Sequence, residues 1–230
     1  MRKKLLLILF LLIGIISLTA QNNCSKFYPM TEGVAMEYTN YNKKGKVEGI
    51  STYKVIESNT NGGTTNATMT IDLKDEKGKD IYSTDYKLEC TGNMVSLDYE
   101  SLLPSEMMQQ YGDMDVEISG NDIEIPNDLS VGQNLKDANV TMKISMSGIN
   151  MNIAVDMTNR KVEKKENVTT SAGTYDCFVL YSENRSKMMM VNQVYPSRVW
   201  LAEGIGMVKQ ETYKKNGSLM SSTLLTAYSN

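Results

Sequence analysis

From about Val34 to the C-terminus, apolar and polar residues alternate with a period of two. The clearest stretch runs from Val140 to Met146, where Val140, Met142, Ile144 and Met146 share one face. Past Ser147-Gly148 the pattern resumes, with Ile149, Met151, Ile153, Val155 and Met157 on one face. Successive side chains on a pleated strand point to opposite sides, so these runs predict an antiparallel hairpin with one apolar and one wet face. Turn chemistry recurs between such runs. Lys43-Lys44-Gly45-Lys46, Glu76-Lys77-Gly78-Lys79 and Lys215-Asn216-Gly217-Ser218 each place a glycine where a hairpin loop requires positive φ. Asn61-Gly62-Gly63, Thr91-Gly92-Asn93 and Gly120-Asn121-Asp122 mark further turns. Ile50-Ser51-Thr52-Tyr53 and Ile81-Tyr82-Ser83-Thr84 rhyme, and shared hairpin chemistry accounts for that better than an internal repeat.

One segment breaks the period. Leu103, Met107 and Tyr111 fall at i, i+4 and i+8, with Pro104 in a first turn and Gly112 as a stop, which predicts one short helix over Ser101–Tyr111. Many hairpins and one helix predict a mainly β fold. The expected form is a strongly curved antiparallel sheet, a half-open or closed barrel.

The first residues carry an export signal. Met1-Arg2-Lys3-Lys4 is basic, Leu5 to Leu18 is apolar apart from Gly14 and Ser17, and Ala20 offers a small residue at the cleavage point. That run is short of the ~20 residues needed to cross a bilayer as a helix. The expected organisation is a signal peptide over 1–20 and a single β domain over 21–230, periplasmic or secreted. Gln21-Asn22-Asn23 before Cys24 is unlike a lipobox. No later stretch approaches membrane length, so no span is expected after cleavage. A net charge of −3 and mixed charges along the chain argue against nucleic acid, which demands concentrated Lys and Arg.

The chain contains no histidine. That removes the usual base near neutral pH, the Ser-His and Cys-His pairs and the commonest transition-metal ligand. The 17 methionines suggest soft copper(I) ligation. However, Met142 and Met146 are four strand residues apart, roughly 13 Å, too far to share an ion, so methionine reads as adaptable apolar filler. Asp113, Asp115 and Glu117 before the Gly120-Asn121 turn, with Asp122 and Glu124 after it, would gather carboxylates if the two strands faced each other. The spacing is not that of a calcium loop, and a solvated face balanced by lysines elsewhere is the expectation. Ser51 and Lys54 imitate a Ser-x-x-Lys dyad, but an offset of three in a strand puts them on opposite faces. Gly204-Ile205-Gly206 reads as a turn between strands. No catalytic, cofactor or metal residue is therefore assigned.

Of the three cysteines, Cys24 precedes the first strand and Cys90 adjoins a turn, whereas Cys177 lies inside a strand. Boundary positions can approach each other without distorting a ladder, so an oxidising compartment favours Cys24–Cys90, with Cys177 a small buried hydrophobe.

Three segments carry a resemblance together. Phe27-Tyr28-Pro29 with Glu32-Gly33 and Glu37-Tyr38 opens the domain. Ser171-Ala172-Gly173-Thr174-Tyr175-Asp176-Cys177 is similar to an AGTF-C strand opening. Val199-Trp200 through Gly204-Ile205-Gly206-Met207-Val208-Lys209 is similar to a W-x-x-x-G-x-G-x-V-K ending. The chain resembles the TapB-like secreted bacterial β proteins, within a wider superfamily of domains of unknown function. The resemblance implies a curved antiparallel sheet similar to lipoprotein-carrier half-barrels, and no activity. Trp200 is expected to anchor a core, since a lone Trp buries a large surface.

The leading expectation for function is a non-catalytic envelope protein whose concave apolar face holds a lipid-like ligand or a protein partner. Met142, Met146, Met151 and Ile153 are the expected cavity lining. The alternatives are a structural or assembly protein with a solid interior and, behind both, a carboxylate-based hydrolase or isomerase.

Overall fold

The computed structural model describes residues 24–102, 115–146, 149–188 and 191–230. The expected signal peptide, Asp113, Met189, Met190 and the expected helix beyond Leu102 lie outside the described residues. The first two positions of that expected helix, Ser101 and Leu102, are the end of a 3-10 turn over Tyr99–Leu102.

Alternation becomes strand wherever turn residues permit. The strands are β1 (Ala35–Asn42), β2 (Val47–Asn61), β3 (Thr64–Asp75), β4 (Asp80–Thr91), β5 (Met94–Leu97), β6 (Asp115–Asn121) and β7 (Ile123–Pro126). They continue with β8 (Ala138–Met146), β9 (Ile149–Thr170), β10 (Gly173–Met188), β11 (Val191–Ala202), β12 (Gly206–Tyr213) and β13 (Leu219–Ser229). On β4, Tyr86, Leu88 and Cys90 are buried while Asp85, Lys87 and Glu89 are exposed. The period-two pattern thus sorts the residues to the two faces of the sheet.

Two hairpin loops share one construction. Gly45 (φ 74°) and Gly78 (φ 80°) supply the left-handed residue. Asn42 Oδ1 accepts the Lys44 and Lys46 amides, and Asp75 Oδ1 likewise accepts those of Lys77 and Lys79. The two loops are thus copies of one Asx-type turn, but Ile50 lies eight residues after Asn42 and Ile81 six after Asp75, so the rhyming strings are out of phase with it.

All thirteen strands join one antiparallel sheet in the order β6-β8-β9-β10-β11-β12-β13-β1-β2-β3-β4-β5-β7, which curls into a nearly closed barrel. Its two outermost strands, β6 and β7, are consecutive in the chain, with Asp122 alone between them. One residue cannot form a hairpin loop, so β6 and β7 run to opposite margins of the sheet. The two strands therefore do not face each other, and Gly120 and Asn121, expected in a turn, are strand residues of β6. Glu117 instead pairs with Lys143 of β8 at 3.1 Å, and Glu124 reaches Lys136 at 2.5 Å. The chain after β7 then covers the free edge of β9: the Gly132 amide donates to Val162 O, the Val162 amide to Gln133 O and the Leu135 amide to Arg160 O.

Residues before β1 fill one end of the barrel. Phe27 is fully buried and meets Phe178 edge-to-face at 5.8 Å. Asn127 holds this segment through the Lys26 amide and Cys24 carbonyl, each at 2.8 Å. Cys24 and Cys90 form a disulfide (Cα–Cα 5.8 Å) that ties the segment to β4.

The main core lies inside the barrel, around Val55, Met69, Leu88, Val162, Leu201 and Leu225. The β8–β9 hairpin forms as its pattern predicts, with Val140 opposite Val155, Met142 opposite Ile153 and Ile144 opposite Met151. These residues make a second cluster with Tyr99, Val116 and Ile118. Trp200 anchors a third cluster with Cys177, Val179 and Val208, on the face of β11 opposite to Leu201.

Candidate functional site: the barrel cavity

Between the buried end and the other end of the barrel, the interior is not filled. A cavity of about 360 Å³ remains, at the lower end of the ~300–1,000 Å³ spanned by small-molecule sites. Strands β1 to β4 contribute Met36, Tyr38, Tyr53, Met69 and Tyr86, and the facing strands add aliphatic residues such as Leu180. Farther along β10, β11 and β12 the lining turns polar, with Asn184, Ser197 and Gln210. Asn184 stands six residues beyond Phe178 on β10, roughly 20 Å along the strand.

The tyrosines form a chain of rings. Tyr38 meets Tyr53 edge-to-face at 5.1 Å, and Tyr53 meets Tyr86 at 6.4 Å. The Tyr38 hydroxyl donates to Met207 O at 2.9 Å, and the Tyr86 hydroxyl to the Met69 sulfur at 3.0 Å. Burial raises the pKa of Tyr28, Tyr38, Tyr53 and Tyr86 above the ordinary phenol value. Burial disfavours the phenolate, so all four remain neutral across the physiological range.

The one guanidinium in the lining belongs to Arg160 of β9, whose residue is only 5 % exposed. It donates to the Glu124 carbonyl at 3.2 Å and to the Lys136 carbonyl, joining β9 to β7 and to the strand-like segment that closes the barrel. Burial lowers its pKa, while Tyr28, Asp137 and Glu124 oppose that shift through space. Among the described residues no carboxylate lies within ion-pair distance of it. Leu135, Arg160 and Tyr181 also line an open polar hollow of about 720 Å³. There Arg198 makes a bidentate pair with Glu163 (2.6 and 3.2 Å), and Glu183 accepts from Asn159 at 3.0 Å.

Of the residues expected to line a cavity, Met142 and Ile153 are fully buried within the β8–β9 cluster, and Met151 is half-buried against it. Met146 pairs with Ile149 at the end of the hairpin. Their neighbours on the same apolar face, Val155 and Met157, line the cavity described above. Sequence reasoning missed the tyrosine chain and Arg160. Alternation did mark Tyr38, Tyr53 and Tyr86 as strand residues, but nothing marked Arg160, which reads as one more polar residue in a strand. Ser51 is buried and accepts from Asn40 Nδ2 at 2.8 Å, whereas Lys54 is exposed, so the two do not form a dyad. Among the described residues no group of three or more His, Cys, Asp or Glu could hold a metal ion.

Fold and cavity together define a class: a nearly closed antiparallel β barrel with an apolar interior and a buried cation in its wall. A family model described as DUF3108-like matches residues 31–225, and the chain belongs to that family. The match is to this broad family and does not extend to the narrower TapB-like name. No curated protein matches the sequence. Two solved structures are similar in fold. One is a protein from Bacteroides fragilis described as exported and having a YmcC-like fold, with a TM-score of 0.75 and 20% identity. The other is a protein from Parabacteroides distasonis described as a lipoprotein, with a TM-score of 0.74 and 23% identity. Each comparison covers 90% of this chain and 100% of the other.

Proposed function

We propose that this chain is a non-catalytic extracytoplasmic protein that holds a lipid-like ligand inside its barrel. The observation that carries the reading is the cavity of about 360 Å³, walled by aromatic, methionine and aliphatic side chains and graded towards polar residues at one end. An apolar space with a few placed polar groups is what an apolar ligand requires. Methionines such as Met36, Met69, Met157 and Met207 add a wall that adapts to ligands of differing shape. The ionisable groups in that wall are Arg160 and neutral phenols, a set without a general base poised near neutral pH. The Cys24–Cys90 disulfide suits an oxidising compartment, and the exported and lipoprotein descriptions of the two structural neighbours agree with one.

Native mass spectrometry of protein purified from its own cell envelope tests the reading, paired with binding of an environment-sensitive hydrophobic dye. The expected result is a co-purifying lipid that the dye displaces. Protein that carries no lipid and binds no dye, while melting cooperatively, overturns it.

A further inference from the structure

We infer that the ligand is an amphiphile with a compact anionic head, a carboxylate or a phosphate, and that Arg160 receives that head; this rests on the reading above and narrows it. Three observations converge. The Arg160 guanidinium lies in the wall of an apolar cavity while being only 5 % exposed. A buried charge is costly unless it is paired, and here its two hydrogen-bond acceptors are neutral backbone carbonyls, not a carboxylate. Those two bonds leave part of the five-donor fork available, and the fork's planar geometry suits a carboxylate or phosphate.

Arg160 also stands at the right place for a head group. Together with Leu135 and Tyr181 it lines both the apolar cavity and the open polar hollow. A chain in the cavity and a head at Arg160 would match the two ends of an amphiphile to the two environments. Across the hollow three carboxylates, Asp137, Glu163 and Glu183, stand against three cations, Arg160 itself, Lys161 and Arg198, and Glu163 is already paired with Arg198. The cavity tyrosines, being neutral donors, cannot cancel the Arg160 charge.

Dodecanoate, dodecyl phosphate and dodecanol share one chain and differ in the head, so their competition against a bound hydrophobic dye is the test. Each anionic probe should displace the dye at about tenfold lower concentration than dodecanol, as one charge-assisted contact implies. Whichever anion competes better identifies the head. In Arg160→Gln the advantage of the anions should collapse while dodecanol is unaffected. Because Arg160 also ties β9 to β7, that variant could lose its cooperative melt, and a second measurement uses the wild-type protein. The arginines after Arg2 are Arg160, Arg185 and Arg198, so their Nε–H resonances are few enough to follow by NMR. The Arg160 signal should shift with dodecanoate and stay in place with dodecanol. Equal competition by all three probes, or a silent Arg160 signal on binding of the anion, overturns the anionic-head inference and leaves the apolar-cavity reading standing. Failure of every probe to displace the dye overturns that reading itself.

Discussion

At the scale of single residues, the cysteines divide by position. Cys24 and Cys90 sit at the margins of elements, where a bridge between them bends no ladder, and the bond closes a separation of 66 residues. Cys24→Ser should lower stability by about 2–4 kcal/mol, chiefly by freeing the unfolded chain; urea unfolding with and without reductant measures it, and reductant should add nothing in the variant. Cys177 is fully buried beside Val179 and Trp200. Burial, with Asp176 and Glu166 adding to it, pushes its thiol up to about 11. Because the thiolate is the reactive form, Cys177 should resist a thiol reagent at pH 8 in the folded protein and react at once in denaturant. Fast labelling of the native state would contradict this. Trp200 is held by more than packing: its indole donates to Glu166 at 2.6 Å and Lys209 lies over its ring at 4.5 Å. These two contacts were invisible in the sequence because they join residues on different strands.

At the scale of elements, glycine positions separate turns from close approaches. Gly45 lies in a hairpin loop at φ 74° with open space where a Cβ would go. Gly45→Ala should therefore cost only the backbone strain, about 1–2 kcal/mol. Gly49 has an ordinary backbone, but a Cβ there would stand 2.4 Å from the Lys74 carbonyl oxygen of the paired strand. Gly49→Ala must push β2 away from β3 and should cost about 1–3 kcal/mol, as overpacking does. Denaturation of the two variants side by side measures both, and a neutral Gly49→Ala would refute the close approach. The Gly45 turn was legible in advance from Lys-Lys-Gly-Lys, whereas Gly49 carried no local signal. Ile56 teaches the same lesson. It is exposed because β2 bulges against β3 between Val55 and Glu57, leaving it out of register.

At the scale of the whole molecule, one inward face serves two ends. Met142 is fully buried and Met157 half-buried, and both lie on the apolar face of the β8–β9 hairpin. Met142 is packed among Val140, Ile144 and Ile153, while Met157 lines the cavity. Met142→Asp should bury an unpaired carboxylate at a cost on the order of several kcal/mol and abolish the cooperative melt. Met157→Asp should keep the fold, since the cavity can admit water to solvate the charge, and should weaken binding of a hydrophobic dye. Circular dichroism melts with dye titration separate the two. An intact Met142→Asp protein would mean that its cluster is less tightly packed than the structure has it.

Local spacing by itself determined the β class, the β8–β9 hairpin, most of the hairpin turns and the inward and outward faces, and position within the elements favoured the Cys24–Cys90 pair, because each depends on residues near in sequence or on simple position within an element. The period of two told which side of each strand is apolar. It could not tell that β6 and β7 part to opposite margins, since strand pairing is settled by long-range closure of the sheet and not by the residues between them. Nor could it tell whether the apolar face is filled. Met142, Val155 and Met157 obey one pattern, yet only the curvature of the closed sheet decides which of them meets other atoms and which meets space. Arg160 belongs wholly to that level: a polar residue in an alternating strand becomes a buried cation at a cavity wall only when β7 and the segment after it fold across β9.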